Sequence, residues 1–153
     1  MKKLLYQFDT DPMPSVFDNV VAYDGGADQV TAYGGVDASN VGALVDGTIF
    51  TRAPKDKKFT AIFIGGGDMT AGEALLKAVR KKFFGGFRVS LMLDSNGSNT
   101  TAAAAIAWLA HSVPLAAKRA VVSTLIPDTS RADRTPPVIE KTSLPRACAT
   151  DSC

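Results

Sequence analysis

Residues 93–101 read LDSNGSNTT, which sets the carboxylate of Asp94 among the amide and hydroxyl side chains of Ser95, Asn96, Ser98, Asn99, Thr100 and Thr101. An apolar stretch precedes this run and the alanine-rich TAAAAIAWL follows it, so the polar cluster falls at the mouth of a helix, where backbone N–H groups are free. Such a set can read a flat heterocycle with alternating donors and acceptors. Asn matches an amide edge, and Asp matches paired N–H donors. Phosphate chemistry fits less well. No lysine follows the glycines as in a nucleotide-binding P-loop, and Gly65-Gly66-Gly67 runs directly into Asp68, whose charge repels a phosphate. The triple glycine suits close approach of backbone to backbone or ligand.

Nucleophilic catalysis finds no constellation. The single histidine, His111, follows an apolar helical run and reads as a helix-end residue. Cys148 and Cys153 lie in the last six positions without metal-ligand spacing. Carboxylate pairs for acid–base work can be drawn among Asp9, Asp11, Asp18, Asp68 and Asp94, but their spacing does not pair them. A net charge of +2 without a dense basic tract argues against nucleic acid as a partner. No apolar run approaches the ~18 residues of a membrane span. Asp9 and Asp11 interrupt the opening MKKLLYQFDTD before a signal-peptide core forms, so a cytoplasmic location is expected.

The elements that must position these groups alternate. LLYQF (4–8), VTAYG (30–34), FTAIFIG (59–65) and FRVSLML (87–93) read as strands. Helices are expected over VFDNVVAY (16–23) behind Ser15, after DASN (37–40) to near Asp46-Gly47, from Thr70 or Ala71 onward, and from Ser98 or Asn99. This alternation predicts an α/β fold with a mainly parallel sheet flanked by helices. The loops at 7–15, 33–40, 64–70 and 93–101 then leave the carboxyl ends of the strands, and together they predict a ligand cleft. Lys55, Lys57 and Lys58 read as a solvated basic loop. All thirteen glycines lie at or before Gly97, and no aromatic residue follows Trp108, so 123–153 is expected to be an irregular tail.

Several long phrases carry a family resemblance. LLYQFDTDPMPSVFDNVVAYDGGADQVTAYGGV, NVGALVDGTIFTR, FTAIFIGGGDMTAGEALLKAVRKKFFGGFRVSLMLDSNGSNTTAAAA and KRAVV (118–122) closely resemble the amino-terminal domain of bacterial methylene-tetrahydromethanopterin dehydrogenases. The resemblance implies a Rossmann-like three-layer domain. It also implies oxidation of methylene-tetrahydromethanopterin or methylene-tetrahydrofolate to the methenyl form, a hydride passing to NADP or NAD, and a homo-oligomer. Those enzymes are found in methylotrophs. Their second domain binds the dinucleotide, and KRAVV resembles its first strand, which normally enters a turn of the type GTGPVG. Here STLIPDTS follows instead, so neither NADP nor NAD is expected to be held by this chain alone. The implied organisation is a carrier-binding domain over 1–117, a remnant strand at 118–122 and an unrelated tail, as in a truncated fragment. The residues expected to face the pterin are Gln7, Asp9, Asp18, Asp94, Asn96, Ser98, Asn99 and Thr100. Lys55, Lys57 and Lys58 can attract an acidic carrier tail. The alternative is a non-catalytic fragment that binds the carrier or docks onto full-length subunits.

Overall fold

The computed structural model of the chain describes residues 1–112. Four strands, β1 (Leu4–Asp9), β2 (Gln29–Tyr33), β3 (Thr60–Gly65) and β4 (Ser90–Leu93), form one sheet in the order β2-β1-β3-β4. Every pairing is parallel, and Asp9 lies in register with Gly65. Helix α1 (Val16–Asp24) follows β1, α2 (Val41–Phe50) follows β2, α3 (Met69–Lys82) follows β3, and α4 (Ser98–Ser112) follows β4. The α/β class and the parallel sheet are therefore as the sequence implies.

Strand alternation sorts the side chains between two faces. Tyr6, Phe8, Ile62 and Ile64 point to one face, where Val41, Val45 and Ile49 of α2 and Leu75 and Val79 of α3 complete the core. Leu5, Gln7, Ala61, Phe63 and Met92 alternate to the other face. There α1 brings Phe17, Val21 and Ala22 against an open hollow. Chain connection after β1 thus leads to one side and after β3 to the other. The gap between these neighbouring strands is a topological switch point, where ligands settle in open α/β sheets.

Boundaries shift where packing overrides local signals. Helix α2 continues past Asp46-Gly47 to Phe50, because Thr48 and Ile49 keep the buried stripe going and no neighbour crowds Gly47. Helix α3 starts at Met69, since Asp68 accepts from the N–H groups of Thr70 and Ala71 and so caps the first turn. The basic residues Arg80, Lys81 and Lys82 fall in its last turn, where they complement the helix dipole. Strand β4 begins only at Ser90, because Phe84 and Phe87 close an antiparallel bridge around Gly85-Gly86. The 54–59 segment is a 3₁₀ turn, and Lys57 departs from the expected solvated loop. It is only 3% exposed, and its Nζ lies 3.7 Å from the centre of the Phe87 ring, a cation–π contact. His111 sits in the last turn of α4. The boundary at 117, the 118–122 strand, the 123–153 tail and both cysteines lie outside the described residues. Among the described residues no helix is long and apolar enough to cross a membrane.

Gly72 sets how closely α3 approaches the loop after β4. A Cβ there would fall on the Ser95 hydroxyl and lie 3.0 Å from Leu93 Cδ1. Alanine would add up to ~1 kcal/mol of helix propensity, yet overpacking costs about 1–3 kcal/mol. Gly72→Ala is expected to lower stability by about 1–2 kcal/mol in urea unfolding. A stabilised variant would contradict this packing.

Candidate functional site at the sheet's carboxyl edge

β1 ends on a buried pair. Gln7 and Asp9 are each 1% exposed, on the face opposite the main core. A carboxylate so deeply placed needs donors around it. Asp9 Oδ1 accepts from the Asp11 N–H (2.9 Å), while Oδ2 accepts from the Ser15 N–H (3.1 Å) and from Gln7 Nε2 (3.2 Å). The loop DTDPMPS therefore folds around the carboxylate. Ser15, so fixed, caps α1 by accepting from the Asp18 N–H at 3.2 Å. Gln7 Oε1 is buried and has no hydrogen-bond partner among the described residues. An orphan acceptor of this kind costs roughly 1–3 kcal/mol.

β3 ends on the glycines. Gly66 has φ of +103°, a conformation open to glycine, and a Cβ there would strike the Thr10 hydroxyl. A Cβ on Gly65 would lie 3.3 Å from Asp9 Oδ2 and 3.4 Å from Asp18 Oδ2. The missing side chain is what lets two carboxyl groups face one another over the strand end. Gly67 donates its N–H to Asp11 Oδ2 at 2.8 Å.

β4 ends on Asp94, which answers why LDSNGSNTT is so polar. Asp94 Oδ1 accepts from the N–H groups of Asn99 (2.8 Å) and Thr100 (2.9 Å), and Oδ2 accepts from the Thr100 hydroxyl (2.6 Å). Asp94 is thus committed to the start of α4. Asn99 Nδ2 donates to the Leu93 carbonyl (2.6 Å), and the Ser98 hydroxyl donates to the Ser95 carbonyl (2.9 Å). Asn96, at φ of +58°, donates its N–H to the Gly66 carbonyl (2.8 Å) and ties this loop to the glycine loop.

Of the expected residues, the fold sets Asp9 and Asp18 beside Gly65, joins Gln7 to Asp9, and places Asp94 and Thr100 on one hollow with Asp18 and Asn96 on the other. Asn99 bonds within its own loop, and the Ser98 hydroxyl lies between the Ser95 carbonyl and the Met69 sulfur of α3. Asp18 borders two hollows. One, of about 640 Å³, is lined mainly by apolar groups, including Leu5, Phe17, Phe63 and Met92, with Asp94 and Thr100 at its rim. The other, of about 310 Å³, is bordered by Asp9, Asp11, Asn96 and the glycine loop. Among the described residues neither lining contains a Lys, Arg or His. Burial raises the Asp18 carboxyl above the ordinary carboxylate range; the Ser15 hydroxyl offsets part of this, and the charges of Asp9 and Asp94 add to it. Asp37, in the loop after β2, moves the other way, held down first by the Ser39 hydroxyl and then by the N–H groups of Ser39 and Asn40.

Phe17 lies outside the residues expected to face the pterin, and Asp11 is expected only as a candidate acid–base carboxylate. Phe17 sits inside an amphipathic helix and is 75% exposed, which only the three-dimensional arrangement reveals. Asp11 had a signal in its spacing, two residues beyond Asp9 in the same turn-rich loop. Among the described residues no group of three or more His, Cys, Asp or Glu is placed to hold a metal ion. A dinucleotide's phosphates do not fit this edge. Asp68 occupies the start of α3, Asp94 the start of α4, and Asp11 the Gly67 N–H, so a carboxylate already sits on donors that a phosphate would use.

Residues 16–96, more than half of the chain, match the family described as methylene-tetrahydromethanopterin dehydrogenase, N-terminal. The chain belongs to this family. It is similar to the bifunctional protein MdtA of Methylorubrum extorquens, with 64% identity over 123 residues that cover 79% of this chain and 43% of that protein. It is also similar to an NAD(P)-dependent methylenetetrahydromethanopterin dehydrogenase of the same organism, with 38% identity over 93 residues, covering 61% of this chain and 31% of the relative. The chain thus spans less than half the length of these curated relatives.

Two outcomes follow from the carboxylates' different duties. Asp94→Ala removes the α4 cap and is expected to cost about 1–2 kcal/mol in chemical unfolding, with loss of helical circular dichroism. Asp18 favours its protonated form when folded, so its contribution is present below the ordinary value of 3.8 and is lost as pH rises through the raised folded value. Asp18→Asn should therefore raise Tm at pH 7 by about 1–3 °C, solvent screening keeping the gain small, and should not raise it at pH 3. A lower Tm at pH 7 would mean that the Asp18 charge stabilises the fold.

Proposed function

We propose that this chain forms the carrier-binding half of an NAD(P)-dependent dehydrogenase of one-carbon metabolism, acting in the cytoplasm. The substrate is the methylene form of tetrahydromethanopterin or tetrahydrofolate, and the product is the methenyl form. The observation that carries this reading is the rim of acceptors at the β1/β3 switch point, which among the described residues has no basic side chain and opens to an apolar hollow. A pterin presents a flat body and an edge of N–H donors, which an acceptor-lined apolar cleft suits. Asp18 and Asn96 are the groups offered to that edge, and the buried Gln7 Oε1 adds to the field around Asp9. Asp9 and Asp94 set the field and hold the loops. The proposed carrier-binding domain is the one expected over 1–117.

The reaction asks little of a protein in covalent terms. The two nitrogens flanking the carrier's methylene carbon stabilise the positive charge that loss of hydride leaves, so no nucleophile is required. Placement of the two reactants and exclusion of water supply the rate. The relatives' nicotinamide partner is not assigned to this edge, where carboxylates hold the phosphate-binding donors. Binding of either nucleotide falls to another chain or domain, outside residues 1–153.

A second reading is a non-catalytic fragment that docks onto full-length subunits. It is favoured by the apolar side chains that α1 exposes, Val16, Phe17, Val20 and Val21.

Titration calorimetry on the purified chain separates these readings. Methenyl-tetrahydrofolate is expected to bind with a dissociation constant within the range of about 1 μM to 1 mM usual for enzyme substrates, and NADP and NAD are expected to give no heat. Tight NADP uptake by this chain, or no carrier binding, would defeat the proposal. Absence of carrier heat, together with heat on titration into full-length subunits of the family, would favour the fragment reading.

A further inference from the structure

The two forms of the carrier differ in charge as well as in hydrogen content. When the C–H bond of the methylene carbon breaks, the hydride leaves with its electron pair for the nicotinamide. The carbon left between two nitrogens then shares one positive charge with them, and no proton is exchanged. The anionic groups of the carrier's tail are common to both forms. A site that senses charge at the pterin end therefore distinguishes product from substrate.

We propose that Asp18, backed by Asp9 and Asp94, makes this rim bind the cationic methenyl form more tightly than the neutral methylene form. The inference rests on the carrier-binding reading above and adds a charge preference to it. The geometry assigns the role to Asp18 in particular. The Asp9 and Asp94 carboxylates each accept three hydrogen bonds within the chain. Asp18 lies at the wall shared by the apolar hollow and the acidic one. Its Oδ2 and that of Asp9 converge on the space above Gly65. Among the described residues no cation lines either hollow. The Gln7 amide, donating to Asp9 while its Oε1 stays buried and unpartnered, is a further acceptor inside the cluster. Burial first, and then the charges of Asp9 and Asp94, raise the energy of the Asp18 carboxylate. An incoming amidinium cation removes that penalty and a neutral ligand does not. The same field favours the transition state of hydride loss, in which the positive charge is developing.

The test compares 5,10-methenyl- and 5,10-methylene-tetrahydrofolate by titration calorimetry on the chain as it stands. The wild type is expected to bind the methenyl form about tenfold more tightly at low salt, with the ratio shrinking as added salt screens the charge. Asp18→Asn should bring the ratio to about one by weakening the methenyl form more than the methylene form, and Asp18→Glu should retain most of the preference. Equal binding of both forms by the wild type, a ratio insensitive to salt, or an unchanged ratio in Asp18→Asn would overturn the inference while leaving carrier binding intact. Failure of either form to bind defeats the carrier-binding reading and the preference with it.

Discussion

A carboxylate taken out of water without a cation beside it must be held by N–H donors, and Asp9 meets this condition with two backbone amides and the Gln7 side chain. That requirement shapes the loop after β1, which turns its Asp11 and Ser15 N–H groups inward. It also fixes Ser15 as the cap of α1, and through the first turn of that helix it brings Asp18 back over the strand ends. Across the sheet, Gly65 pairs in register with Asp9 and leaves the space above it empty. The acidic rim is thus a consequence of how one buried charge is satisfied.

The electrostatic character of the edge follows. Parallel α/β sheets commonly offer helix starts to phosphates. Here Asp68 and Asp94 take the starts of α3 and α4, and Asp11 takes the Gly67 N–H. An edge of the same architecture is thereby turned from an anion receiver into one suited to N–H donors or positive charge. The neighbouring hollow supplies the apolar surface that a flat ring needs, and the main core on the opposite face supplies the rigidity.

Much of this was legible in the residues. The alternation of apolar strands and amphipathic helices is strong enough to give the parallel sheet. The four polar loops at strand ends point to one edge, because a parallel sheet sends every strand's carboxyl end the same way. That Asp9 and Asp94 share one edge is readable for that reason, whereas Asp18 reaches it from within α1. What stayed hidden was the use of each group. Asp94 and Asn99 looked like ligand readers, yet helix capping and loop closure claim their polar atoms, a competition that composition does not reveal. Lys57 looked solvated because its neighbours are charged, and only the packing of Phe87 shows why it is buried. The end of α2 was misjudged at Asp46-Gly47, since an uncrowded glycine within an apolar stripe does not stop a helix.

The central claim is that the carboxyl edge between β1 and β3 receives the carrier. The most direct measurement is a two-dimensional ¹H–¹⁵N NMR titration of the chain with methenyl-tetrahydrofolate. The account expects the largest shifts at the Gln7 side-chain amide and at the backbone N–H groups of Gly66, Gly67 and Asn96, with little change at Arg52 or Arg88 on the opposite edge. Shifts concentrated at that opposite edge, with the Gln7 amide unmoved, would contradict it.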